Sequence, residues 1–309
     1  IRSAARKQMR GMRNQLDIDN WIYSMENYFE ARVVDLTGSN MQTQLSGNAE
    51  ALAGVYRGKL RGKVKNGIAE GYVALEGHGN SVNIPKGWDP DYFRLYKQNN
   101  QDAIGIFKGD IGDYILVLDE VSTPQHRDFI PGEGNVIFFD AFDKAIANGI
   151  DFDDALHIAS DAVIDRGQPM VGVGAQVNGD FIDFRYAGDP GVYRLKQNAG
   201  WEQLADPEGY KNAVGKEIVE NVFGRRESRV TPIQLIPNQN SRIQMDYGDV
   251  FFLSSDWYKS LFNKRPDLWN QFKHRIDTQP IEQVSKWLSD LSVGNTKDNV
   301  AFFLYKHIP

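Results

Sequence analysis

The 309-residue sequence predicts an α+β domain, with antiparallel sheets carrying helices on their outer faces. Three patterns point there. Short apolar runs separated by turn residues mark hairpins, helical patterns come in adjacent pairs, and strands and helices do not alternate singly as a doubly wound fold requires. A hydrophobic content of 41% at this length is enough to bury a substantial core.

The first thirty residues open with Arg2, Arg6, Lys7, Arg10 and Arg13 and continue with Trp21, Ile22, Met25, Tyr28 and Phe29 at helical spacing. That pattern predicts an amphipathic helix docked by its aromatic stripe. From Val33 to about Pro85 the chain is mixed and glycine-rich, with a strand candidate at Gly71-Tyr72-Val73-Ala74-Leu75. Residues 1–90 therefore read as a divergent segment of helix and strands packed on a main domain of residues 91–309.

Ala103 to Phe107 and Tyr114 to Leu118 are β-type runs joined by the turn-rich Lys108-Gly109-Asp110-Ile111-Gly112-Asp113, a predicted hairpin. Two helical patterns follow, around Val136 to Ala147 and Phe152 to Ile164, joined at Asn148-Gly149 with Asp151 placed to cap the second. Val171 to Gln176, Phe181 to Ala187 and Val192 to Leu195 are further strands, with turns at Asn178-Gly179-Asp180 and Gly188-Asp189-Pro190-Gly191. Val250 to Leu253 and Val300 to Tyr305 are apolar runs. Between them Leu268, Phe272 and Ile276, then Ile281, Val284, Leu288 and Leu291, mark two more helices.

A net charge of -6 offers no broad attraction to nucleic acid or anionic membranes, so the expected partners are proteins or small molecules. Without cysteine, and with only 5 histidines, any metal would be held by oxygen, which favours Mg2+ or Mn2+ over zinc or copper. No apolar run approaches the roughly 20 residues that span a bilayer. The chain is expected to be soluble, with the cytoplasm favoured and a secreted effector left open. The sequence shows no P-loop, nucleophile elbow or His-Glu-x-x-His, and its histidines show no metal-ligand spacing.

One positional regularity remains: Asp102 precedes a predicted strand, Asp119 and Asp256 end two others, and Asp298 opens the last. Such carboxylates sit at a sheet's rim, where several can converge on one hard cation. Aspartate also favours turns for conformational reasons, so only the combination carries weight.

The residues resemble the type 2C metal-dependent serine/threonine phosphatases. Lys97-Gln98-Asn99-Asn100-Gln101-Asp102 is similar to that family's opening motif, and Tyr114-Ile115-Leu116-Val117-Leu118-Asp119 to the strand reaching its metal-bridging Asp-Gly. Tyr186 to Leu195 is similar to the Gly-Asp-Ser turn and following strand. Tyr247 to Asp256 resembles the run ending in Ser-Asp-Gly, and Asp298 to Leu304 the closing Asp-Asn and strand. The blocks fall in the family's order over roughly Asp91 to the C-terminus, and residues 1–90 match poorly.

The resemblance implies a β-sandwich of two antiparallel sheets flanked by helices, binding two Mg2+ or Mn2+ ions. Asp119 would bridge them, Asp256 and Asp298 would hold one, and Asp102 would support the metals and their waters. Glu120, where the family has glycine, would offer its carbonyl or its side chain as a ligand. Lys97 would stand for the phosphate-binding arginine without its bidentate fork. The implied activity is hydrolysis of phosphoserine and phosphothreonine in proteins by metal-activated water. Glu120, Trp257 and Lys97 depart from the pattern and motivate an alternative, an inactive binding module. Trp257, if it stacked on a planar group, would suit a further alternative, hydrolysis of a nucleotidyl or choline-type phosphodiester.

Overall fold

The computed structural model describes residues 45–75, 84, 89–90, 93, 99–121, 131–164, 169–197, 199–205, 209–211, 217–219, 222–224, 231–232, 242–293, 295–296 and 298–309. Two antiparallel sheets lie face to face. The seven-stranded sheet runs β1(Ala49–Ala53), β4(Asp102–Lys108), β5(Asp113–Glu120), β6(Met170–Asn178), β7(Phe181–Ala187) and β12(Thr231–Pro232), with β13(Arg242–Gln244) also pairing β7. The six-stranded sheet runs β2(Arg57–Val64), β3(Gly67–Ala74), β15(Val300–His307), β14(Val250–Ser254), β8(Gly191–Leu195) and β9(Trp201–Gln203). Two short strands, β10(Gly209–Lys211) and β11(Glu217–Val219), pair only with each other.

Ile104, Ile115, Val117 and Val173 of the first sheet meet Leu60, Leu253, Ala301 and Phe303 of the second in the central core. On the outer face of the seven-stranded sheet, α1(Glu133–Ala147) and α2(Phe152–Ile164) press Phe138, Phe139, Phe142 and Phe152 onto Phe107, Tyr114 and Leu116. On the other outer face, α3(Trp257–Phe262), α4(Asp267–Thr278) and α5(Ile281–Ser292) cover Tyr72, Phe252, Phe302 and Leu304. Central strands are thus buried on both faces. That is why β5 and β14 read as unbroken apolar runs, each large side chain contributing about 1.5–3 kcal/mol by burial.

The predicted 103–118 hairpin is present, with Asp102 opposite Asp119 and Lys108 opposite Asp113. Both predicted helix pairs form, and Asp151 Oδ1 accepts the Asp154 N–H at 2.9 Å at the start of α2. The N-terminal amphipathic helix lies outside the described residues. Among the described residues three strands come before residue 90, and each is hydrogen-bonded into the sandwich: β1 to β4, and β2 through β3 to β15.

A candidate metal centre at one end of the sandwich

Antiparallel pairing sends alternate strand ends to the same rim. At one rim lie the start of β4, the end of β5, the entry to β8, the exit of β14 and the entry to β15. These positions carry Asp102, Asp119, Asp189, Asp256 and Asp298. The two sheets are joined there by side chains. Ser255 Oγ donates to Asp102 Oδ2 at 2.5 Å, and Asn299 Nδ2 donates to Gln101 Oε1 at 2.8 Å.

The Asn100–Asp102 segment is held from several sides. Asn100 Oδ1 accepts the Asp102 N–H at 2.9 Å, while its Nδ2 donates to the Val55 carbonyl at 2.9 Å. The Gln101 carbonyl accepts the Glu120 N–H at 3.0 Å and the Asn135 amide of α1. Gly132 precedes α1 at φ 88°, and a Cβ there would meet the Asn100 carbonyl oxygen at 2.5 Å, so only glycine lets the helix start this close.

Glu120 faces away from Asp119, as successive strand residues do. Its Oε2 accepts the N–H groups of Gly132 at 3.1 Å and Gly134 at 3.0 Å, which places the carboxylate at the positive end of α1. The expectation that its side chain might ligate metal thus meets a carboxylate bonded to a helix N-terminus on the opposite side of the strand.

The aspartates share one electrostatic field. Asp102, 1% exposed, has its pKa raised well above the ordinary value, first by burial and then by Asp298 and Asp256, against the opposing pull of the Ser255 hydrogen bond. Asp119 is likewise raised, first by burial and then by Asp102, Asp256, Asp298 and Asp189. Asp189 accepts a charge-assisted hydrogen bond from Lys259 of α3 at 2.6 Å. The donors are oxygen throughout, the set that suits a hard divalent ion, and one of them, Asp189, already meets the Lys259 ammonium. Among the described residues, no three acidic or histidine side chains close on one point at ligand distance. The cluster is a shared field rather than a finished cage.

The structure therefore brings Asp102, Asp119, Asp256 and Asp298 to one rim, while Lys97 lies outside the described residues. Asp189, read from sequence as a turn residue, is buried within the cluster, and its place just before an apolar strand was the available signal. Ser255, Asn299, Asn135 and Lys259 were not foreseen. Trp257 overturns an expectation: its ring is 1% exposed, packs 5.9 Å from Phe302 and donates Nε1–H to the Ala301 carbonyl at 3.2 Å. Buried under the helices, it offers no face to a planar substrate, and the phosphodiester reading loses its basis.

No family model and no curated protein sequence matches the chain. Solved structures do. The serine/threonine phosphatase Stp1 from Staphylococcus aureus superposes with a TM-score of 0.56 at 16% identity, over 77% of this chain and 94% of that one. The S. agalactiae serine/threonine phosphatase gives 0.52 at 16% identity, over 68% and 94%. RsbX in complex with magnesium gives 0.53 at 12% identity, over 81% and 99%. The chain has the fold of the type 2C phosphatases.

Proposed function

We propose that this chain is a metal-dependent phosphohydrolase that removes phosphate from phosphoserine and phosphothreonine in proteins. The observation that carries the reading is the delivery of five aspartates, from strands of both sheets, to one rim, where burial and the neighbouring carboxylates raise the proton affinity of Asp102 and Asp119. Clustered carboxylates of this kind are stabilised in their charged form by a hard cation.

Asp119, Asp256 and Asp298 would hold two Mg2+ or Mn2+ ions, with the Glu120 carbonyl as a further oxygen donor. When bound, such ions neutralise a phosphoryl group and supply a hydroxide-like water at neutral pH. The chain's own residues do the remainder. Ser255 fixes one oxygen of Asp102, and Asp119 shares a further hydrogen bond with it, so the Asp102 carboxyl is held beside Asp119, where it would orient a water. The Gln101 backbone, tied to β5 and α1, holds Asp102 opposite Asp119. Lys97 would place a positive charge near the incoming phosphate. The substrate would be a phosphorylated protein, and no described helix is long and apolar enough to cross a membrane.

Release of inorganic phosphate from a phosphothreonine peptide, with and without Mn2+, tests the reading. Activity that requires the metal and disappears in Asp119→Asn supports it, and equal hydrolysis by parent and variant overturns it. A second reading, a binding module that keeps the fold without turnover, draws on the Glu120 carboxylate engaged by α1 and on the absence of a closed cage among the described residues. Calorimetry separates the two, because that module would bind no Mn2+.

A further inference from the structure

β2 carries a basic residue at every second position, Arg57, Lys59, Arg61 and Lys63, and the sequence from Arg57 to Lys65 holds no acidic residue. In a chain of net charge -6 this is a local reversal of sign. Strand alternation decides where the row points. Leu60 and Val64 enter the central core, so the four basic positions share the opposite, outer face of the sheet, and all four are exposed. Arg61 meets Glu70 at 2.8 Å and Glu282 of α5, and Lys59 and Lys63 flank this ion-paired arginine with exposed ammoniums. The row also has a starting point. Arg57 pairs with Ala74 and Ala74 with Val300, two residues after Asp298, so the row begins two strand spacings, about 10 Å, from the β15 entry to the acidic rim. Lys63 lies about 20 Å further along the strand.

We infer that the outer face of β2 is a docking strip for an acidic segment of the substrate protein, with Lys59 and Lys63 as its contacts and the phosphorylated residue at the aspartate rim. Charge complementarity selects the occupant. An extended peptide repeats its side chains at the same two-residue interval as the strand, so acidic residues along one of its faces meet the row in step. The row lies beyond the Debye length of about 8 Å at physiological ionic strength, so a segment docked there is largely screened from the rim's own carboxylates. The inference rests on the phosphohydrolase reading for the place of the phosphate, and it adds the class of protein chosen: one with glutamate or aspartate near the phosphorylated residue.

Fluorescence anisotropy on the intact chain tests it with unphosphorylated threonine peptides flanked by glutamates or by glutamines. The proteins are the parent, a charge-reversed form (Lys59→Glu with Lys63→Glu), a neutral form (Lys59→Gln with Lys63→Gln) and a charge-conserving form (Lys59→Arg with Lys63→Arg). At low salt the parent and the charge-conserving form should bind the glutamate-flanked peptide about tenfold more tightly than the other, and the neutral and charge-reversed forms should lose that ratio. A parent without the preference, or a charge-reversed form that keeps it, overturns the inference. An oligonucleotide of equal charge that binds the parent more tightly than the acidic peptide, and is lost with the same substitutions, overturns it in favour of a nucleic-acid surface. A row that merely solvates the strand would alter stability and leave the ratio alone. Should charge reversal prevent folding, the neutral form decides by the same ratio. Phosphate release from the phosphothreonine forms of both peptides with Mn2+ then separates the strip from the hydrolase reading. KM for the glutamate-flanked peptide should be about tenfold the lower in the parent and should rise on charge reversal at unchanged kcat. Preferential binding without phosphate release keeps the strip as an acidic-peptide site and removes the hydrolase reading, whereas release without preference removes the strip alone.

Discussion

The two ends of the sandwich are built from the same strands and carry similar numbers of aspartates, yet they handle charge in opposite ways. At the far end Asp249, fully buried, accepts the Arg194 Nε–H at 2.9 Å and the Asp246 N–H at 3.0 Å. Asp113 meets the Lys108 ammonium at 2.6 Å and the Lys65 N–H at 2.8 Å, and Asp180 accepts from Asn66 at 3.1 Å. Each of those carboxylates accepts hydrogen bonds from within the chain, and Asp249 and Asp113 meet a cationic side chain. At the near end Asp102 and Asp119 face each other across a strand pair with their proton affinities raised. Carboxylates whose proton affinity is raised by burial and by one another mark a functional site, which is how charge separates structure from chemistry here.

The comparison breaks most visibly through Asp119. Asp119→Asn should lower kcat by about a thousandfold or more, equivalent to about 4 kcal/mol of barrier, while leaving the metal-free protein at least as stable at neutral pH. A melting temperature that drops with the activity would mean that Asp119 is a structural charge after all. The far end should respond the other way. Asp249→Asn leaves Arg194 buried without its carboxylate and should destabilise by about 3–5 kcal/mol, with activity per folded molecule retained. Chemical denaturation beside an active-fraction assay reads both.

A smaller effect follows from Asp102. Its folded pKa lies above the ordinary 3.8, so the stability associated with its neutral form is complete at lower pH and is lost as pH rises from 3.8 through the folded value. The metal-free protein should therefore lose a few degrees of melting temperature as pH is raised from about 4 to neutrality, by the usual scaling for a domain of this size. Saturating Mn2+ should remove that slope. A metal-free protein whose stability is flat over this range would show that the rim is neutralised from within, like the far end.

Much of this contrast could be read along the chain. β5, β14 and β15 announce themselves as apolar runs bordered by Asp119, Asp256 and Asp298, because strands covered on both faces need no polar alternation. β2 hides its nature, since glycine takes two of its inward positions. A Cβ on Gly58 would meet Leu52, and one on Gly62 would meet Ile106, each at 2.8 Å, so the inward face carries no apolar signal beyond Leu60 and Val64. Trp257 looked like a neighbour of the metals because it follows Asp256, but α3 begins there and turns the ring into the helical layer. Asp189 and Lys259, seventy positions apart, meet only through tertiary packing, which no local pattern records.

Glu120 gives the finest test of the divide, because one peptide bond separates it from Asp119 while its carboxylate serves a helix. Glu120→Gln keeps the shape and an oxygen for the Gly132 and Gly134 N–H groups but loses the charge at the start of α1. The expected loss is about 0.5–1 kcal/mol of stability, the size of a helix-end charge effect. Mn2+ affinity should stay within a factor of about two, because the side chain is engaged by the start of α1 and the substitution leaves the backbone in place. Calorimetry that instead finds Mn2+ binding weakened tenfold, in a protein as stable as the parent, would make the Glu120 carboxylate a ligand. The boundary between the structural and chemical charges would then run through the helix cap, and alternation along β5 would no longer explain which carboxylates serve the metals.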